Sequence, residues 1–117
     1  MKDRVSVLNS LLKLDRSIKS IKKDLSEFEW DSDILVTLQT VHIRSIIERY
    51  LSGQIDESTV EAWANIIECR DDIEIPKEIN DPVEEIIYEL ANPYLTQNLT
   101  YEGAKILLQN LELGAAH

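Results

Sequence analysis

Apolar residues recur at helical spacing along most of the chain, and short polar stretches divide them into segments. Val7, Leu11, Leu14, Ile18, Ile21, Leu25 and Phe28 follow a 4-3 rhythm that lines one face of a helix. Lys19, Lys22 and Lys23 fall off that face and should be solvated. The stripe fits one long helix, or two with Leu14-Asp15-Arg16-Ser17 capping a fresh start; the break is the expectation. A third helix is predicted from Ser32 or Asp33 to Leu51, stopped by Ser52-Gly53. Ile34, Leu35, Leu38, Val41, Ile43, Ile46, Ile47, Tyr50 and Leu51 make it apolar nearly all round, the pattern of a central helix enclosed by others.

Asp56 should cap the next helix, with Ile55 before it and Val60 inside it placed as a hydrophobic staple. Val60, Trp63, Ala64 and Ile67 then face the core, so Trp63 reads as core rather than as a binding anchor. Arg70-Asp71-Asp72-Ile73-Glu74-Ile75-Pro76 alternates too briefly to specify a strand and is expected to be loop. Asp81-Pro82-Val83-Glu84 opens a further helix with an N-cap carboxylate and a proline at the first position. Val83, Ile86, Ile87 and Leu90 point inward there, and Asn92-Pro93 stops it. Leu99-Thr100 opens the last helix, with Ala104, Leu107, Leu108 and Leu111 inward; Gly103 within it costs about 1 kcal/mol relative to alanine. The tail from Leu113 to His117 is expected to fray. The fold class is therefore all-α: a single domain built as a bundle of five or six helices.

Composition narrows the picture. With 117 residues, 44% of them hydrophobic, the chain can bury a core without staples. Cys69 is the only cysteine, which rules out an internal disulfide and fits a reducing compartment. No stretch resembles a signal peptide or a membrane span, so a cytoplasmic protein is expected.

Charge changes the picture more. Residues 1–23 carry seven basic side chains against two acidic ones, whereas residues 56–89 hold twelve carboxylates against Arg70 and Lys77. The whole chain has a net charge of −10. Such segregation speaks to partners rather than to fold: it disfavours nucleic acid and favours a basic protein surface.

Candidate chemistry is sparse. His42 sits between Leu38 and Ile46 on an apolar face and reads as a hydrogen-bonded core or boundary histidine, not a ligand or base. Cys69 lies at a helix C-terminus, where a thiolate is not favoured, and reads as an inert buried or half-buried thiol. Trp30, in a turn flanked by acids, fits either packing or partner contact. No phosphate-cradling loop or metal-ligand spacing is present, so neither a metal nor a cofactor is expected, and no enzyme.

The carboxylates remain. Glu57, Glu61 and Glu68 fall within about 40° on a helical wheel. Like-charge pairs at Glu57/Glu61 and Glu85/Glu89 are mildly destabilising, and Glu89 sits near a helix C-terminus, where the dipole disfavours it. Capping and dipole positions account for several carboxylates, but not for Asp71, Asp72, Glu74 and Glu78 accumulating between two acidic helices. The partner-binding residues expected on this ground are Glu57, Glu61, Glu68, Asp71, Asp72, Glu74 and Glu78.

At Arg49-Tyr50-Leu51-Ser52-Gly53, Trp63-Ala64-Asn65-Ile66-Ile67-Glu68 and Arg70-Asp71-Asp72-Ile73, the chain resembles small helical bacterial immunity proteins. These are encoded beside contact-dependent inhibition and related polymorphic toxins. Glu89-Leu90-Ala91-Asn92-Pro93 and Leu99-Thr100 extend the likeness over most of the chain from about Leu11. The resemblance implies a cognate toxin C-terminal domain, often a nuclease, bound in the cytosol so that its active site is blocked. Glu68, Asp71 and Asp72 are the acidic residues that match. A monomer before binding, contacting neither membrane nor nucleic acid, is the corresponding expectation; the alternative is an acidic adaptor or regulatory subunit for another basic protein.

Overall fold

The computed structural model describes residues 3–28, 33–76, 83–93 and 98–115. Among them are six helices: α1 (Arg4–Lys13), α2 (Ile18–Leu25), α3 (Thr40–Leu51), α4 (Glu57–Glu68), α5 (Val83–Ala91) and α6 (Tyr101–Ala115). Two short strands, β1 (Val36–Thr37) and β2 (Ile73–Glu74), pair in parallel, with Val36 opposite Ile73 and Thr37 opposite Glu74. The protein is an all-α bundle with α3 at its centre, packed against α1, α4, α5 and α6.

The N-terminal stripe is broken, and the break has a local cause. Leu14 adopts a left-handed conformation (φ 48°, ψ 50°) that ends α1, and the Ser17 hydroxyl accepts the Ser20 N–H to start α2. A left-handed leucine costs about 1–2 kcal/mol. Its side chain is nonetheless 2% exposed, so burial of the stripe holds it there. Arg49 of α3 donates to the Lys13 and Leu14 carbonyls at 3.2 and 2.9 Å, satisfying groups that the end of α1 leaves open. Trp63 ties α4 to α1 in a similar way: fully buried, its indole N–H donates to the Leu11 carbonyl at 2.7 Å.

Other punctuation also holds. The Asp56 carboxylate accepts from the Thr59 hydroxyl and, with smaller effect, from the Thr59 N–H, which together depress its pKa. Gly53, with φ +82°, follows the end of α3, and the Thr100 hydroxyl accepts from the Gly103 N–H at 3.0 Å at the start of α6. Asp81 and Pro82, expected to open α5, lie outside the described residues, as does Trp30. The last helix continues to Ala115, past the point at which fraying was expected to begin.

Two expectations are corrected together. The third helix does not start at Ser32 or Asp33, and Arg70–Pro76 is not simply loop. Residues 33–39 are non-helical, because the Leu35 and Val36 N–H groups donate to the Asp72 carbonyl, and the Leu38 N–H donates to the Glu74 carbonyl. The β-branched Val36 and Thr37 suit the extended backbone. α3 begins only at Thr40, where the Gln39 N–H donates to His42 Nδ1 at 2.9 Å. Ile34, Leu35 and Val41, expected on an enclosed helix, are instead exposed.

Candidate functional site

Helix α4 is amphipathic. Val60, Trp63, Ala64 and Ile67 are buried, while Glu57 and Glu68 are exposed and Glu61 is half-buried. Helix α5 repeats the arrangement, with Val83, Ile86, Ile87 and Leu90 inward and Glu84 and Glu85 exposed. These two helices pack side by side, so their polar faces adjoin.

Where they meet the start of α6 lies a cleft of about 200 Å³. Glu57 and Glu61 from α4 and Glu89 from α5 line it, above apolar walls that include Val60, Leu90, Pro93, Leu99 and Leu107. No lysine or arginine among the described residues lines it. Among the described residues, neither Glu57 nor Glu61 belongs to an ion pair. The Glu57 charge also reaches Tyr50, whose hydroxyl donates to the Leu99 carbonyl at 3.4 Å and whose ring lies 5.2 Å from that of Tyr101. Burial, Tyr101 and Glu57, in that order, raise the Tyr50 pKa.

The other predicted carboxylates are placed differently. Glu68, at the far end of α4, accepts from the Asn92 side chain at 3.2 Å. Asp71 is exposed, and exposed Glu74 accepts from the Thr37 hydroxyl at 3.2 Å. Glu78 lies outside the described residues. Asp72 requires a correction: it is 0% exposed and cannot contact a partner. One of its oxygens accepts from Arg70 Nε at 2.9 Å, and the other from Arg70 Nη2 at 2.9 Å and Arg4 Nε at 3.0 Å. Arg4 in turn lies 5.9 Å from the centroid of the Phe28 ring. With its backbone carbonyl holding β1, Asp72 joins the start of α1, the end of α2 and both strands. It could have been suspected from Arg70, one of only two cations among the twelve carboxylates of residues 56–89, since such a cation invites a carboxylate partner.

Sequence reasoning omitted Glu89 from the site, although its unfavourable place at a helix C-terminus was a signal. His42 proves to be a boundary residue with an internal hydrogen bond; partial burial and then the Lys13 charge lower its pKa. Cys69, expected to be buried or half-buried, is exposed at the C-cap of α4. No group of three His, Cys, Asp or Glu side chains among the described residues is placed to hold a metal ion, and no helix there is long and apolar enough to cross a membrane.

Cations elsewhere divide by type, Arg44 excepted, whose buried Nε has no hydrogen-bond partner among the described residues. Arg16 pairs with Asp24 at 2.7 Å, and Arg4, Arg49 and Arg70 make the internal bonds described above. Lys13 on α1 and Lys19, Lys22 and Lys23 on α2 are exposed. This division suits a planar donor fork against a strongly hydrated ammonium. Compared with protein-family models, curated proteins and solved structures, the chain matches none of them.

Proposed function

We propose that this chain is an immunity protein that binds a cognate toxin domain, a basic protein, through the acidic face of α4 and α5. The observation that carries the reading is the polar face of α4, where Glu57 and Glu61 share one cleft and, among the described residues, neither belongs to an ion pair. Clustered like charges oppose folding by tenths of a kcal/mol per pair, a cost that a bound basic surface would offset. Glu68 of α4, Asp71 after it, and Glu84 and Glu85 of α5 are further exposed carboxylates of this part of the chain.

A nuclease must hold phosphates with lysine and arginine, and an acidic surface imitates that charge. Complementary potentials speed encounter towards roughly 10⁸ M⁻¹s⁻¹ at low salt. Neutralisation then follows by covering the active site or by holding the toxin away from its substrate. The resemblance to immunity proteins supports the same reading, although its motifs act structurally here. Trp63 is core, and Arg70 and Asp72 are paired with each other.

Affinity capture from the native host, with identification of the bound protein, tests the proposal. That protein should be basic, should arrest growth when expressed alone, and should be tolerated when this chain is co-expressed. A harmless enzyme as the bound species would replace immunity with the adaptor reading. Recovery of nucleic acid without protein would contradict both.

A further inference from the structure

We propose that Arg44 of α3 is the contact point for a carboxylate side chain, a glutamate or aspartate, presented by a protein partner. The inference goes beyond the acidic face: it places a second contact on another helix and does not require the partner to be a toxin. The chain has five arginines, and four of them are committed inside the fold. Arg4 and Arg70 bond to Asp72, Arg16 to Ser20 and Asp24, and Arg49 to the Lys13 and Leu14 carbonyls. Among the described residues no hydrogen bond or ion pair holds the Arg44 guanidinium, and its Nε is buried without an acceptor.

That resting position singles the residue out. A buried donor left unpaired carries its full desolvation cost, and nearly all such groups in folded proteins find a partner. Rotating the Arg44 guanidinium towards an acceptor outside the chain would break no internal bond and would give Nε the partner it lacks. Arg49, by contrast, would have to abandon two carbonyls to do the same. The fold can therefore lend Arg44 to a partner at little cost.

The surroundings define the acceptor. Arg44 is half-buried and lines a groove of about 370 Å³, with Val41, Ser45, Glu48 and Gln54 also in the lining. A guanidinium is a planar fork that matches a carboxylate or a phosphate. Glu48, one turn on, and the net charge of −10 oppose a doubly charged phosphate or a nucleic-acid backbone more than a singly charged carboxylate. Ser45 and Gln54 add a hydroxyl and an amide donor. Val41, 56% exposed, offers apolar surface to the aliphatic stem of a side chain, which a bare inorganic anion would leave uncovered.

Two measurements on the full chain test this. Arg44→Met keeps the aliphatic length without the donors and should leave the urea midpoint at or above that of the parent, whereas Arg49→Met should lower it. A fall at Arg44 as large as that at Arg49 would make Arg44 a structural arginine and overturn the proposal. Sodium butyrate is then titrated at constant ionic strength while the Arg44 Nε–H signal and the Val41, Ser45 and Gln54 amides are followed by NMR. These should shift together and saturably, with a dissociation constant on the order of tens of millimolar for so few atoms. Arg44→Lys, which keeps the charge but not the fork, should weaken butyrate at least about threefold. Tighter binding of inorganic phosphate than of butyrate, equal shifts at the exposed Lys19, Lys22 and Lys23, or indifference to Arg44→Lys would overturn the proposal.

Discussion

Asp72 and Glu61 are both carboxylates in the same acidic stretch, yet the fold puts them to opposite uses. Around Asp72 the chain brings Arg70, Arg4 and the backbone of β1, and the carboxylate disappears from solvent. Around Glu61 it brings Glu57 and Glu89, and among the described residues neither Glu57 nor Glu61 belongs to an ion pair. The first arrangement satisfies a buried charge, which is strongly destabilising only when one partner is removed. The second leaves the like charges of Glu57 and Glu61 available to something outside the chain. Composition counts the two carboxylates alike; only the three-dimensional neighbourhood separates a structural carboxylate from one available to a ligand.

The largest effect expected is at Asp72. Asp72→Asn keeps the shape but removes the charge facing two guanidinium groups, and should lower stability by about 3 kcal/mol, the lower end of the range for uncoupling a buried pair. Urea denaturation should show this, while Asp71→Asn, one residue away and exposed, stays within about 0.5 kcal/mol of the parent. Equal effects at the two positions would erase the distinction between them.

Next in size is Trp63→Phe, which keeps an aromatic ring but leaves the buried Leu11 carbonyl without its 2.7 Å donor. A loss of about 1–3 kcal/mol is expected, measured in the same way. Cys69→Ser should be nearly neutral, within about 0.5 kcal/mol. In the native protein the exposed Cys69 thiol should be titrated by a thiol reagent without denaturant.

The smallest effect is a pH dependence at His42. Its folded pKa is lowered from 6.5, so the unfolded chain takes up the proton first as pH falls. Stability from this group is fully present above 6.5 and is lost as pH drops through the lowered folded value. Urea midpoints at about pH 7.5 and about pH 5.5 should therefore differ more in the parent than in His42→Gln. An equal difference in the two proteins would assign the dependence to other groups.

Much of this fold is legible in local chemistry. The break before Ser17, the Asp56 cap, the stop at Ser52-Gly53 and the inward face of Trp63 each depend on residues within a turn or two of one another. The parallel pairing of Val36 with Ile73 is not local, and two-residue strands carry no periodicity of their own. Ile34, Leu35 and Val41 therefore read as an extension of the apolar pattern of α3, although the backbone there answers to Asp72 and Glu74. The candidate site divides along the same line. Glu57, Glu61 and Glu68 are visible as one stripe of α4, whereas the cleft also needs Glu89 from α5 and apolar walls from Leu99 and Leu107, which become neighbours only through packing.

The most direct test of the central claim is calorimetric titration of the captured partner, at low salt, against two variants with unchanged circular dichroism. One carries Glu61→Lys, Glu68→Lys and Asp71→Lys, leaving the structural Asp72 intact. The other carries Lys13→Gln, Lys19→Gln and Lys23→Gln on the exposed basic segment. The acidic reversal should weaken binding at least tenfold, about 1.4 kcal/mol, and the basic substitutions should change it much less. Unchanged affinity in the first variant, with loss of binding in the second, would place the binding face on α1 and α2 and contradict the account.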